Sequence, residues 1–240
     1  TLSLAGLAIL VLAGIAARVA AGVAARERGP HPYAARLALF LLTLPLVLFH
    51  YHALAGFSPL AIVSGVQVSA DAEPYTLKLH FGPVALGFYY VRFFLVPPSV
   101  DEVKSILRWV GALTLALVAV LLGTALAMGY VRWDPKWPSF FLIWTLTNLF
   151  LVAVSEESLF RGLLQDGLSR LGRPAALLIA SLVFGLYHLA WGLENVFLAT
   201  VAGAFFGYAY LRSARIEAAI LLHFVVNAIH FYLFTYPRMA

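Results

Sequence analysis

Long apolar runs decide what this chain can fold into. A helix that crosses a bilayer needs roughly 20 mainly apolar residues, because lipid offers no partner to a backbone N–H or C=O. Eight such runs lie along the 240 residues: Leu2–Ala25, Ala34–Ala55, Phe81–Val96, Ile106–Val131, Ser139–Leu168, Pro174–Ala190, Leu193–Leu211 and Ala218–Tyr236. Charged residues make up 11% of the chain and hydrophobic ones 62%, where a soluble domain carries about 25% charged. A soluble globular domain, a disordered chain and a disulfide-stapled secreted domain are therefore excluded. The expected fold class is all-α, a single polytopic membrane bundle of about eight transmembrane helices.

Turn chemistry supports these divisions. Gly29-Pro30-His31-Pro32 closes the first run, Pro97-Pro98-Ser99 divides the third from the fourth, and Asp134–Pro138 divides the fourth from the fifth. Gly172-Arg173-Pro174 turns the fifth into the sixth, with proline at a helix start. The first run begins without basic residues and is followed by Arg26 and Arg28, which suits a retained helix better than a cleaved signal. The longest polar stretch, Ser58–His80, carries Asp71, Glu73 and Pro74.

The net charge of +5 reads as loop charge that sets topology, and no nucleic-acid partner is expected. With eight spans, one side collects Arg18, Arg26, Arg28, Arg36, Arg92, Lys104, Arg108, Arg170, Arg173, Arg212 and Arg215. The other side has Lys78, Arg132, Lys136 and Arg238. The positive-inside rule makes the first set cytoplasmic and puts both termini outside. The Ala-rich, Met-poor composition points to a bacterial inner membrane. With no cysteine in the chain, thiol catalysis and thiolate metal sites are excluded.

Three late spans carry polar residues that lipid should exclude. The fifth holds Glu156, Glu157 and Arg161, and an ionised group at a helix centre costs about 2.5–3.5 kcal/mol on the insertion scale. Intramembrane ionisable residues are functional candidates by default. Glu157 and Arg161 stand four apart with the acid first, which suits a structural ion pair. Glu156 points roughly 100° away around the helix and needs another partner. The sixth span holds His188; the eighth holds His223 and Asn227 on one face, with His230 one turn on. A lone intramembrane histidine is more often a packing residue, and a polar pair often an interhelical bond; three such sets together weigh more. Glu156 and His188 lie equally far from the turn at residue 172, so an antiparallel hairpin sets them level. His223 needs a kinked, tilted or shorter seventh helix to join them.

Glu156-Glu157-x-x-x-Arg161, Phe184-x-x-x-His188 and His223-x-x-x-Asn227, in that order on three hydrophobic helices, resemble the CAAX protease and bacteriocin-processing family, also called the ABI family. Its members include the type II CAAX prenyl endopeptidases. The resemblance covers about residues 139–230; it marks a core over 139–236 after N-terminal spans over 1–132, which diverge across such families. It implies an intramembrane endopeptidase acting on peptides or membrane-anchored proteins, CAAX-like ones included. Carried over by residue, Glu156 is the base that activates water, His188 helps hold that water, and His223 and Asn227 support the tetrahedral oxyanion. Glu157 and Arg161 are the structural pair, and His230 lies outside the motif.

The same donors also suit Zn²⁺, held by Glu156, His188 and His223 with a water completing the site. No His-Glu-x-x-His segment decides between the two, and the metal stays open at this stage, as does the oligomeric state. Two other readings compete. A proton-coupled transporter could run a relay through Glu156, Glu157 and His188, although no repeated halves are visible. A non-catalytic scaffold or bacteriocin-immunity protein could keep the fold. The four aspartates, Asp71, Asp101, Asp134 and Asp166, form no pair within a span, which removes an aspartyl dyad.

Overall fold

The computed structural model describes residues 33–34, 36–41, 59–80, 91 and 97–239. Among the described residues, five helices build the body: α1 (Val100–Ala127), α2 (Phe141–Gln165), α3 (Arg173–Tyr187), α4 (Leu193–Ser213) and α5 (Ile216–Leu233). All but α3 are long and apolar enough to cross a membrane; α3 is shorter. They correspond to the fourth to eighth expected spans. The span Leu2–Ala25 lies outside the described residues. So do Ala34–Ala55 and Phe81–Val96, apart from helical residues at 34, 36–41 and 91.

Helix α1 starts earlier than the expected Ile106, because Ser99 and Glu102 cap it reciprocally. Ser99 N–H donates to Glu102 Oε2 at 2.8 Å, and Glu102 N–H donates to Ser99 Oγ at 3.3 Å. These bonds satisfy two donors that the first helical turn otherwise leaves unpaired. The α2–α3 and α3–α4 connections share one device. A short 3₁₀ turn, Ser169–Leu171 or Leu189–Trp191, is followed by Gly172 or Gly192 at φ near +100°, a conformation open to glycine and costly for other residues.

The polar stretch around Ser58–His80 departs from the all-α expectation. It forms an antiparallel hairpin of β1 (Leu60–Val66) and β2 (Tyr75–Leu79), with Leu60 opposite Leu79 and Val66 opposite Tyr75. Alternation such as Tyr75-Thr-Leu-Lys-Leu79 suits a half-buried strand, and the stretch is too polar to enter lipid. Its connecting loop is tied to the helix ends: Arg132 pairs with Asp71 and Arg238 with Glu73, both at 3.0 Å. Tyr236 N–H donates to Ser69 Oγ.

The main core lies where α2 meets α3, α4 and α5 and includes Phe160, Phe184, Phe206 and Leu222. Leu107, Leu115, Leu142, Leu178, Leu186 and Phe197 face outward, as a lipid-facing surface requires. The contacts also sort the charges. At one end Arg215 pairs with Glu102 and Glu217, Arg36 pairs with Asp166, and Arg108 and Arg212 lie against Trp109. Arg132, Lys136 and Arg238 gather at the other end with the hairpin.

Candidate active site

Helix α2 changes pitch around the acidic pair. The π-helical stretches Asn148–Ala153 and Ser158–Gln165 flank one α-helical turn, Val154–Glu157. Ser155 and Ser158 hydroxyls donate back to Leu151 and Val154 carbonyls, which suits hydroxyl side chains inside an apolar helix. Such π turns occur often at functional sites. Here the acidic pair sits between them and its two carboxylates part company.

Glu157 turns into the bundle. Its Oε2 lies 3.0 Å from Arg161 Nε, with both side chains essentially unexposed. Its other oxygen, Oε1, lies 2.7 Å from His223 Nδ1. The expected two-member pair is thus a three-member network joining α2 to α5. A carboxylate only accepts, so Nδ1 of His223 is the protonated nitrogen and Nε2 is left for another partner. Arg161 also donates to the Gly203 carbonyl at 2.9 Å, and its guanidinium lies 4.6 Å from the centre of the Phe184 ring. Phe206 stacks on the His223 ring at 4.6 Å. Ionic, hydrogen-bonding and ring contacts together surround a charge that would be costly alone.

Glu156 turns the other way, into a cavity of about 760 Å³ that His188, His223 and Asn227 also line. The structure therefore brings all four nominated residues to one space. The partner expected for Glu156 is missing: its Oε2 is buried and has no hydrogen-bond partner among the described residues. His188 caps the end of α3, and its Nδ1 lies 2.8 Å from the Phe184 carbonyl. That carbonyl can only accept, so Nδ1 carries the proton and Nε2 presents a lone pair. His230 also lines the cavity, and its Nε2 meets the Thr235 carbonyl at 3.1 Å.

His223 lines the same cavity with no break in the seventh helix. Helix α4 is an unbroken run of 21 residues. The count from residue 172 includes the connection that follows the end of α2 at Gln165 and holds the 3₁₀ turn Ser169–Leu171. Measured from helix ends, Glu156 lies nine residues before Gln165 and His223 seven after Ile216.

Two contributors escaped the sequence reading. Asn148 accepts from Asn227 Nδ2 at 3.4 Å and lines the cavity with Val152 and Glu156, at four-residue spacing along α2. That spacing was the available signal. Gln165 donates to the Gly207 carbonyl at 3.0 Å, as Arg161 does to Gly203 one turn earlier. The pattern Gly203-x-x-x-Gly207 permits it, since small residues let helix backbones come close.

Among the described residues, no three His, Asp or Glu side chains gather as a metal site requires. Glu156, His188 and His223 share the cavity but are not grouped as ligands of one ion. His223 Nδ1 is bonded to Glu157 and His188 Nδ1 to a backbone carbonyl, which orients both rings and leaves the Nε2 of each for a water or an ion.

Searches of curated proteins and of solved structures return no match. Residues 137–229 match one family model, described as type II CAAX prenyl endopeptidase Rce1-like. The match runs from the entry of α2 to within four residues of the end of α5 and contains every motif residue from Glu156 to Asn227. Over residues 137–229, with its apolar helices and its Glu156–Asn227 motif set, the chain is similar to the type II CAAX prenyl endopeptidase Rce1-like family.

Proposed function

We propose that the protein is an intramembrane endopeptidase that hydrolyses peptide bonds of peptides or membrane-anchored proteins, with Glu156 as the base. The observation that carries this reading is the unpartnered, buried Oε2 of Glu156 in a cavity shared with His188, His223 and Asn227. A buried carboxylate oxygen without a donor is costly; a substrate water would supply that donor.

In the cycle, a water held between Glu156 and the Nε2 lone pair of His188 attacks the carbonyl carbon as Glu156 takes its proton. The carbonyl oxygen becomes an oxyanion facing His223 Nε2 and Asn227 Nδ2, two donors in a low-dielectric cavity. In that role the His223 ring holds a proton on each nitrogen, one directed at Glu157 and one at the oxyanion. Glu156 then passes its proton to the leaving amine nitrogen, the C–N bond breaks, and a carboxylic acid and an amine result. Asn148 holds the Asn227 amide in place from the facing helix. A zinc-assisted route predicts loss of activity on chelation and recovery with Zn²⁺.

The deciding experiment uses the purified full chain in detergent and a mixed peptide library. Cleavage that disappears in Glu156→Gln, with unchanged melting, is the expected result. Gln has nearly the same shape but cannot take a proton from water. Equal cleavage by the two proteins would overturn the proposal.

A further inference from the structure

The β1–β2 hairpin has no part in the chemistry above, yet it borders the same cavity. Every residue from Glu73 to His80 lines that space, whereas β1 contributes none of its residues. Side chains alternate between the two faces of a strand. A strand showing one face to a cavity would line it with every second residue. Continuous lining means that β2 presents its edge, with β1 behind it.

That edge is open. Among the described residues, β2 pairs only with β1 in a two-stranded sheet. The cross-chain backbone bonds of the described residues do not involve Tyr75–Leu79. Just before β2, the chain already accepts an added segment: Ala72 bridges to Met239, and Glu73 N–H donates to the Arg238 carbonyl at 3.3 Å. The C-terminal segment thus closes one end of the line and leaves the rest facing the cavity. An unpaired row of N–H and C=O groups is a template for another extended chain.

We infer that the free edge of β2, Tyr75–Leu79, docks the substrate as an added strand, so that an extended peptide is held beside Glu156. This inference rests on the peptidase reading above and deepens it. It assigns recognition to backbone groups, with an extended, unfolded stretch as the substrate class. It explains why a helical membrane protein keeps a hairpin at the cavity rim. A peptide bond can be attacked only when its backbone is exposed, and strand addition presents it that way.

The test takes a library peptide whose cleavage depends on Glu156 and methylates its backbone nitrogens one at a time. An added strand bonds through every second residue. Methylation should therefore raise KM about 3–10-fold at alternate positions, with kcat little changed away from the scissile bond. A benzophenone-bearing copy of the same peptide, photolysed on the Glu156→Gln protein, should label residues 75–79. KM changes without alternation, or labelling confined to other segments, would overturn strand docking and leave the peptidase reading standing. Absence of any Glu156-dependent cleavage would overturn both.

Discussion

Glu156 and Glu157 are adjacent in the chain and both buried, and they differ in their partners and in which of them lines the cavity. Glu157 is locked between Arg161 and His223, and Glu156 has an unpartnered oxygen in the cavity. Glu157→Ala should therefore lower the melting temperature in detergent far more than Glu156→Ala. Removing one member of a buried pair costs about 3–5 kcal/mol, while Glu156 gives up no contact of that kind. Equal melting of the two variants would contradict the network. His223→Ala and Asn227→Ala should each cut kcat about 10²–10³-fold, the usual loss for one oxyanion donor. His230→Ala should leave kcat within a few-fold, since its Nε2 is spent on the Thr235 carbonyl. The four-residue spacings of Glu157 with Arg161 and of His223 with Asn227 were legible in the sequence; the first pair is in contact and the second shares the cavity. The Glu157–His223 bond was not, because it spans 66 residues and depends on how α5 rotates against α2.

At the scale of elements, α3 and α4 approach closely at Gly185. A β-carbon there would stand 1.9 Å from Thr200 Oγ1 and 2.7 Å from the Val196 carbonyl oxygen. The second contact is to backbone, so the helices must separate. Gly185→Ala should cost about 1–3 kcal/mol, read as a lower melting temperature with a parallel fall in activity. Thermal unfolding unchanged from the parent would refute this packing. The hairpin makes a separate prediction. Bonding to Ser69 and then to Lys136 holds the Asp134 carboxyl below its ordinary range, against the opposing effect of burial. A depressed carboxyl contributes stability above its unfolded pKa and loses it as pH falls through the folded value. Proteolysis between β1 and β2 should therefore rise on acidification, and Asp134→Asn should flatten that dependence. The helices were legible because lipid dictates their length. The hairpin was not, because Ser58–His80 carries strand-like alternation over only a few residues amid loop residues.

For the whole molecule, the expected orientation rests on the two charged ends. We propose that the end with Arg170, Arg212 and Arg215 faces the cytoplasm, as the positive-inside rule expects. The cavity, bordered by the hairpin and Arg238, then opens on the opposite side. Single cysteines at positions 170 and 215 should resist a membrane-impermeant thiol reagent in intact cells, and cysteines at 78 and 136 should react. The native chain has no cysteine, so background labelling is absent. The reverse pattern would invert the topology and turn the cavity to the cytoplasm.

By itself the sequence determined that the chain lives in a bilayer, where its later helices run, and which polar residues are too costly to be there by accident. Those are local properties: span length follows from membrane thickness, and burial of a charge is penalised wherever it occurs. Only the tertiary structure decided how the polar residues divide their work. Whether a carboxylate meets a cation or a cavity depends on helix rotation, on the extra residues in the π turns of α2, and on small residues that let α4 come close. These are relations between segments far apart in the chain, and no spacing within one segment encodes them.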